Sequence, residues 1–368
     1  MLQKLIKPTL LLDAEKCRNN IRRMQQKAVA QKVIYRPHFK THQSAAIAQW
    51  FAEGGTNKIT VSSVSMANYF ASHGWNDILI AFPLNLAEIE DITRLAAEIQ
   101  LSVVVENIEA IRTLASTSIS TIGVYLKIDA GYHRTGVPVE DHPMVQQLID
   151  VIDKQPYLRF RGFVVHNGHT YHTSHPQQVI DIHRRSVEAL DILRQAITSQ
   201  AEKVLISFGD TPSMSLVNDF AGVDEIRPGN FVFYDVMQQQ IGACDYSDIA
   251  VALACPVVAI HKQRCEIVIY GGAIHLSKES INNADGIPIY GKIVSLTGNG
   301  WSNPWEDSYA KALSQEHGII RTTPEYINQI SIGDFIGILP IHSCLTAHLM
   351  RDMMTTTGQK ITTMQSFK

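Results

Sequence analysis

From residue 31 to residue 227 the chain alternates short apolar runs with stretches of helical length, and no other feature restricts its fold as tightly. The runs are KVIY (32–35), KITV (58–61), DILIAF (77–82), LSVVVE (101–106), IGVYLKID (122–129), FRGFVVH (160–166), KVLISF (203–208) and DEIR (224–227). Most are continuously apolar rather than alternating, which is how parallel strands covered on both faces read. Between them lie helical patterns such as QSAAIAQWFAEGG, which stops at a Gly pair, and QQVIDIHRRSVEALDILRQAITSQ. Eight strands, each followed by a helix or a turn, predict a (β/α)8 TIM-type barrel; a doubly wound open sheet is the competing topology.

After residue 240 the texture changes. DIAVALACPVVAIHKQRCEIVIYGG reads as two strands joined at HKQR, and further short β-like pieces follow with turn signals at TGNG and SIGD. The closing GQKITTMQSFK reads as one more strand, and the early PTLLLD is expected to pair with this smaller, mostly β domain. The expected division is a barrel over 16–240 and a β domain built from 1–15 plus 241–368. Apolar residues at 45% and charged residues at 18% leave ample material for both cores.

A net charge of −3, without like-charge runs, excludes the basic footprint of a nucleic-acid binder. TLLL is too short for a signal core or a membrane span, and no later apolar run is long enough either. Five scattered cysteines point away from a disulfide framework and toward a reducing cytoplasm. The composition suits a soluble protein that handles small molecules.

In a barrel the chemistry sits at the C-terminal ends of the strands. Those positions here read RPHFKTH, TVSS, KIDAGYHRTGV, VVHNGHTY, SFGDTPS and RPGNFVFYD, a concentration of polar, ionisable and Gly-rich sequence. The last two loops suit one phosphate: Gly209, Thr211, Pro212 and Ser213 in one, Gly229 and Asn230 in the other, with Tyr234 adding a hydroxyl. Neither a nucleotide P-loop nor a dinucleotide fingerprint is present. Lys40, at the end of the first strand, suggests an amine that carries an aldehyde cofactor. Such an amine must be desolvated or placed beside cations to act near neutral pH, and Arg36, His38 and His42 are the nearby candidates.

The motifs RPHFKTH, DAGYHRTGV, HNGHTY, GDTPS, EIRPGNFVFYD and PIHSC, in this order over nearly the whole chain, resemble those of the D-serine dehydratase/D-threonine aldolase family. These are pyridoxal-phosphate enzymes of the alanine-racemase-like fold. The resemblance implies that Lys40 carries pyridoxal 5'-phosphate covalently. It implies that Arg134 and Tyr171 contact the cofactor ring with His166 close by, and that Gly209, Thr211, Gly229, Asn230 and Tyr234 surround the phosphate; Ser207 is counted with these cofactor-binding residues. Relatives of this fold are commonly homodimers.

A His-x-Cys pair on a strand, as His342 and Cys344 are read here, would point both side chains to one face. Imidazole with thiolate favours Zn2+ over Mg2+ or Ca2+. Alone the pair is a weak signal; the resemblance makes both residues metal ligands, because dehydratases of the family carry His and Cys here and the aldolases tend to a carboxylate in the second place. The implied reaction is metal-assisted dehydration of a D-3-hydroxy amino acid such as D-serine to a 2-oxo acid and ammonia. The alternatives are aldolase-type C–C cleavage, an amino-acid racemase and a non-catalytic cofactor carrier. IVIYGGAIHLSKE (267–279) departs from the family pattern at Tyr270, Gly271 and Ile274, which leaves the substrate open. The loop GNGWSNPWEDSY (298–309) either caps a site or packs through Trp301 and Trp305.

Overall fold

The structure is a computed structural model and describes residues 5–364. The chain divides into two compact units, each with its own core. One comprises Arg23–Lys40 and Phe51–Gly229; the other comprises the residues up to Arg22, Thr41–Trp50 and those from Asn230 onward.

The first unit is the barrel. Its strands are β1 (Ile34–Tyr35), β2 (Ile59–Val61), β3 (Asp77–Pro83), β4 (Gln100–Val105), β5 (Ile122–Asp129), β6 (Leu158–Val165), β7 (Leu205–Phe208) and β8 (Glu225–Ile226). They pair in parallel in the order β1-β8-β7-β6-β5-β4-β3-β2, and a parallel bridge between His38 and Thr60 joins the two ends. The open-sheet alternative is thereby excluded, since β1 and β8 pair as neighbours. β1 is short as a regular strand, yet its hydrogen bonding runs on: the Arg36 and His38 amides donate to the Ile226 and Pro228 carbonyls at 3.0 and 2.8 Å. Pro37 has no amide to add.

A polar network fills part of the barrel. Arg36, 4% exposed, donates to Glu225 at 2.7 Å and to Asp77 at 2.6 Å, and Lys58 pairs with Asp77. The Ser207 hydroxyl donates to Glu225 at 2.7 Å and accepts from Arg227 Nε at 2.7 Å. A buried guanidinium needs partners of this kind to offset its lost hydration. Arg36 is therefore not available as the cation expected beside Lys40; its charge is spent on Glu225 and Asp77.

His183, on the helix Pro176–Ala196, packs its ring against Phe208 with centroids 4.9 Å apart, and neither ring nitrogen has a hydrogen-bond partner among the described residues. Burial, then the charge of Lys27, lowers its pKa to about 4. Below pH 6.5 the unfolded chain takes up a proton at this residue that the folded chain refuses until about pH 4, so stability falls with pH across that window. His183→Phe keeps the ring packing and removes the titration. Urea midpoints measured from pH 7 to pH 4 should fall less steeply in this variant, by up to about 3 kcal/mol at the acid end.

The second unit is built on a mixed, mainly antiparallel sheet. Thr9–Leu12 pairs antiparallel with Val251–His261, as expected of PTLLLD, and parallel with Met353–Thr355. Val251–His261 and Glu266–Tyr270 are the two strands joined at HKQR, with Lys262–Arg264 as a 3-10 turn. The sheet continues through Phe335–Pro340, Gly291–Thr297, Tyr309–Leu313 and His317–Arg321. The expected last strand is confined to Lys360–Ile361, and its final residues lie outside those described. Gly271 and Gly272 are demanded by close packing: a Cβ would meet the Cys255 sulfur at 2.4 Å at the first and the Ser314 and Gln315 carbonyls at 2.5 Å at the second. Trp305 is buried, stacked on Tyr326 at 4.7 Å and bonded to Ser295 Oγ at 2.8 Å, which is the packing role.

All five cysteines are unpaired with one another. Among the described residues no helix is long and apolar enough to cross a membrane.

Candidate active site

In the barrel unit Lys40 occupies an exposed turn after the bridging residue His38, and its amide donates to His38 Nδ1 at 3.4 Å. His166, at the end of β6, carries the charges of Lys40 and Arg134 in its surroundings. Burial first, and those cations next, push its pKa well below the ordinary histidine range. The ring is thus neutral. Its Nδ1 lies 2.6 Å from the Gly209 carbonyl oxygen, which can only accept, so Nδ1 holds the proton and Nε2 the lone pair.

Asp129 shapes the loop that carries Arg134. One carboxylate oxygen accepts the amides of Gly131, Tyr132 and His133 at 3.0, 2.9 and 3.0 Å. Burial works against the charged form, but these N–H groups and His133 outweigh it and hold Asp129 below the usual carboxylate range. Gly136, at φ +115°, sits where a Cβ would meet the Asp129 amide nitrogen at 2.8 Å. The Arg134 guanidinium lies over the Tyr132 ring, 5.2 Å from its centroid. Lys127, on the same strand and 8% exposed, donates to the Ile128 carbonyl at 2.8 Å. Burial, Arg227 and Arg134 together lower it to about 8.

The loops after β6 and β7 are tied together. Asp210 accepts from the Ser213 amide at 2.9 Å and the Thr170 hydroxyl at 3.2 Å, and the Tyr171 hydroxyl accepts from the Thr211 amide at 3.3 Å. Gly209 faces the Arg227 guanidinium, which a Cβ would approach to 2.7 Å. Thr211 Oγ1 is buried with no hydrogen-bond partner among the described residues, and the Ser213 hydroxyl, buried beside it, helps hold the Asp210 carboxylate. An unpartnered buried hydroxyl such as that of Thr211 costs about 1–3 kcal/mol until a partner arrives. An idle Thr211 hydroxyl and a buried Ser213 hydroxyl beside a glycine suit an anionic, phosphate-like group, so these residues fit the tail of pyridoxal phosphate.

Of the expected cofactor residues, the barrel unit holds Lys40, Arg134, His166, Tyr171, Ser207, Gly209, Thr211 and Gly229. His166 links to Gly209 and Tyr171 links to Thr211, whereas the Ser207 hydroxyl is occupied within the barrel. Ser213 was expected only as part of the phosphate loop, and Lys127 and Asp210 were not among those expectations. Asp before T-P-S is a recognisable helix-capping pattern that marks Asp210.

Asn230 and Tyr234 belong to the other unit, as does the expected metal pair. Tyr234 has φ +50°, a left-handed backbone that costs an aromatic residue energy and draws attention to its position. The Asn230 side-chain nitrogen donates to Asp235 Oδ2 at 2.6 Å and to Ser343 Oγ at 3.2 Å, while its Oδ1 is buried without a partner among the described residues.

His342 and Cys344 do not lie on a strand. The strand ends at Pro340; His342 caps the helix Ser343–Met350 and Cys344 sits in its first turn. The two are nevertheless brought together, because the capping residue keeps extended backbone while the chain behind it turns. Cys344 Sγ lies 3.1 Å from Thr41 Oγ1 and 3.5 Å from the Asn230 amide nitrogen. Burial alone would lower the His342 pKa, but the Cys344 sulfur and the Asp235 carboxylate hold it well above the ordinary range. His42, in the same unit, accepts the Ser44 amide at 3.1 Å and is lowered to about 3 by burial, which makes it a neutral imidazole and not a cation.

Among the described residues no three His, Cys, Asp or Glu side chains are grouped to hold a metal. His342 and Cys344 are a two-donor set. Imidazole and thiol fit Zn2+ by chemistry, with the remaining positions open to water or substrate oxygen.

The barrel model described as "Alanine racemase, N-terminal domain" matches residues 12–236, and a serine dehydratase domain model matches residues 250–356. D-serine dehydratase of Dictyostelium discoideum is 30% identical over 94% of this chain and 92% of its own length. D-threo-3-hydroxyaspartate dehydratase of Delftia sp. (strain HT23) is 27% identical over 92% of this chain and 91% of its own. The solved structure of that dehydratase superposes with a TM-score of 0.88 over 100% of this chain and 99% of that one, at 24% identity. D-threonine aldolase from Filomicrobium marinum follows at a TM-score of 0.82 and 21% identity, covering 99% of this chain and 98% of its own.

Proposed function

The chain belongs to the family of the alanine racemase N-terminal domain, and from that premise we propose that it is a pyridoxal-phosphate-dependent D-amino-acid lyase, a dehydratase of D-3-hydroxy amino acids such as D-serine. What carries this reading is the reach of the likeness: a dehydratase relative spans 94% of the chain, and the serine dehydratase model matches the segment that bears His342 and Cys344. A non-catalytic carrier made of a barrel alone has no counterpart to that segment.

The bound cofactor supplies an electron sink for negative charge at the substrate Cα. Lys40 would hold the cofactor, and its amine would be the base placed to take the Cα proton. The charges of Arg134 and Lys127 act on His166 together with that of Lys40, which keeps this imidazole neutral. Neutral His166, with its Nδ1 proton directed to Gly209, adds no cation of its own. Thr211 and Ser213 would offer hydroxyls to the phosphate, and Tyr171 buttresses that loop through the Thr211 amide.

His342 and Cys344 are the residues that would hold a Zn2+, which would supply Lewis acidity toward a hydroxyl leaving group. Loss of the Cα proton and the β-hydroxyl removes one water; hydrolysis of the resulting enamine returns it and yields a 2-oxo acid and ammonia. Cys344, in the place where a carboxylate would favour the aldolase reading, supports dehydration. Purified protein with cofactor and zinc, given D-serine, D-threonine and D-3-hydroxyaspartate separately, should release 2-oxo acid and ammonia. Aldehyde with glycine as the dominant products would establish the aldolase reading, and interconversion of enantiomers alone would establish a racemase.

A further inference from the structure

We infer that Asp235 is the positioning residue of the metal centre, the group that fixes the orientation of both proposed ligands. The inference deepens the reading of His342 and Cys344 as a metal pair and rests on it. Asp235 is fully buried, and its two oxygens are put to different uses. Oδ1 accepts the Gln238 amide at 2.9 Å and caps the short helix Val236–Ile241, an ordinary structural task. Oδ2 is not needed for that cap. Around it gather the Ser343 amide at 2.9 Å, the Ser343 hydroxyl at 3.3 Å, the Asn230 amide nitrogen at 2.6 Å and His342 Nδ1 at 3.5 Å.

Each of these contacts bears on a ligand. The Ser343 amide belongs to the residue between His342 and Cys344, so gripping it sets the backbone from which both side chains project. His342 Nδ1 is buried, and the Asp235 carboxylate faces it at 3.5 Å. A carboxylate facing Nδ1 favours the tautomer with the proton there and leaves the Nε2 lone pair for a metal. The Asn230 amide nitrogen, held by Oδ2, also approaches Cys344 Sγ at 3.5 Å, while Thr41 Oγ1 lies 3.1 Å from the same sulfur. One oxygen thus faces the imidazole and holds Asn230, the neighbour of the sulfur. A cap alone explains none of the Oδ2 contacts.

The test compares zinc affinity of the cofactor-loaded wild type and Asp235→Asn by equilibrium dialysis against Zn2+, with circular dichroism and the visible cofactor band as checks on folding. Asparagine keeps an oxygen for the Gln238 cap but presents N–H to the Ser343 amide and His342. Zinc affinity should drop about 10–100-fold while the cofactor band persists. Equal affinity in the two proteins overturns the inference and leaves the metal pair standing. Absence of zinc binding in the wild type removes the metal pair, and this inference with it. Should Asp235→Asn fail to fold, nitrogen NMR of ring-labelled histidine in zinc-loaded wild type decides. The His342 signal, assigned by its loss in His342→Gln, should show Nδ1 protonated and Nε2 metal-bound; metal on Nδ1 overturns the inference.

Discussion

Lys40→Ala protein is expected to show no visible absorption from covalently held cofactor and to lose dehydration of D-serine by about 10³-fold or more. The two losses have separate causes. The amine is the proposed attachment point for the aldehyde, and without it the cofactor is retained only by contacts to its ring and phosphate. The amine is also the proposed base, and general-base removal costs about 10²–10⁴-fold by itself. Absorption spectra and a coupled 2-oxo acid assay on the same preparation check both. Persistence of the band in the variant would exclude Lys40, whatever the activity. The substitution should be mild for the fold, since Lys40 lies in an exposed turn.

Chelation of the metal is expected to lower dehydration of D-serine by on the order of 10²-fold or more, with the cofactor band intact. A Lewis acid on a leaving hydroxyl contributes several kcal/mol, and each 1.36 kcal/mol is about tenfold in rate. The separation of effects follows from the residues, since neither of the proposed zinc ligands His342 and Cys344 is among the proposed cofactor contacts Lys40, Thr211 and Ser213. Zinc added back should restore turnover in the wild type and not in Cys344→Ala. Full activity of metal-stripped wild type would remove the metal from the reaction.

The barrel was legible because its strands are buried on both faces and therefore read as unbroken apolar runs. IGVYLKID coincides with β5 at Ile122–Asp129, and DILIAF is β3 but for one residue. The pairing of PTLLLD with the second sheet was equally visible. What stayed hidden was direction. Nothing in RPHFKTH tells that Arg36 turns inward to Glu225 and Asp77, because those partners lie 189 and 41 residues away in the chain. The same limit applies to Ser207, whose hydroxyl is claimed by Glu225 and Arg227.

His342 and Cys344 were placed on a strand because the apolar run FIGILPI continues past the point where Pro340 ends it. No Ser, Thr, Asn or Asp stands at the cap position to announce the helix, since His342 occupies it without a side-chain capping bond. Asp210 and Asp235, by contrast, stand just before helices at Thr211 and Val236, where capping residues are expected. Their second roles, tying Thr170 to one loop and Asn230 to the other, depend on contacts that no local pattern records.

Reductive trapping puts the central claim to its most direct test. Borohydride reduction of the protein incubated with pyridoxal phosphate, followed by proteolysis and mass spectrometry, locates the modified lysine. The account predicts the reduced cofactor on the peptide that carries Lys40. The serious rival is Lys127, which burial, Arg227 and Arg134 lower to about 8, although its amine is engaged by the Ile128 carbonyl. Cofactor on Lys127, or on no lysine at all, would contradict the account.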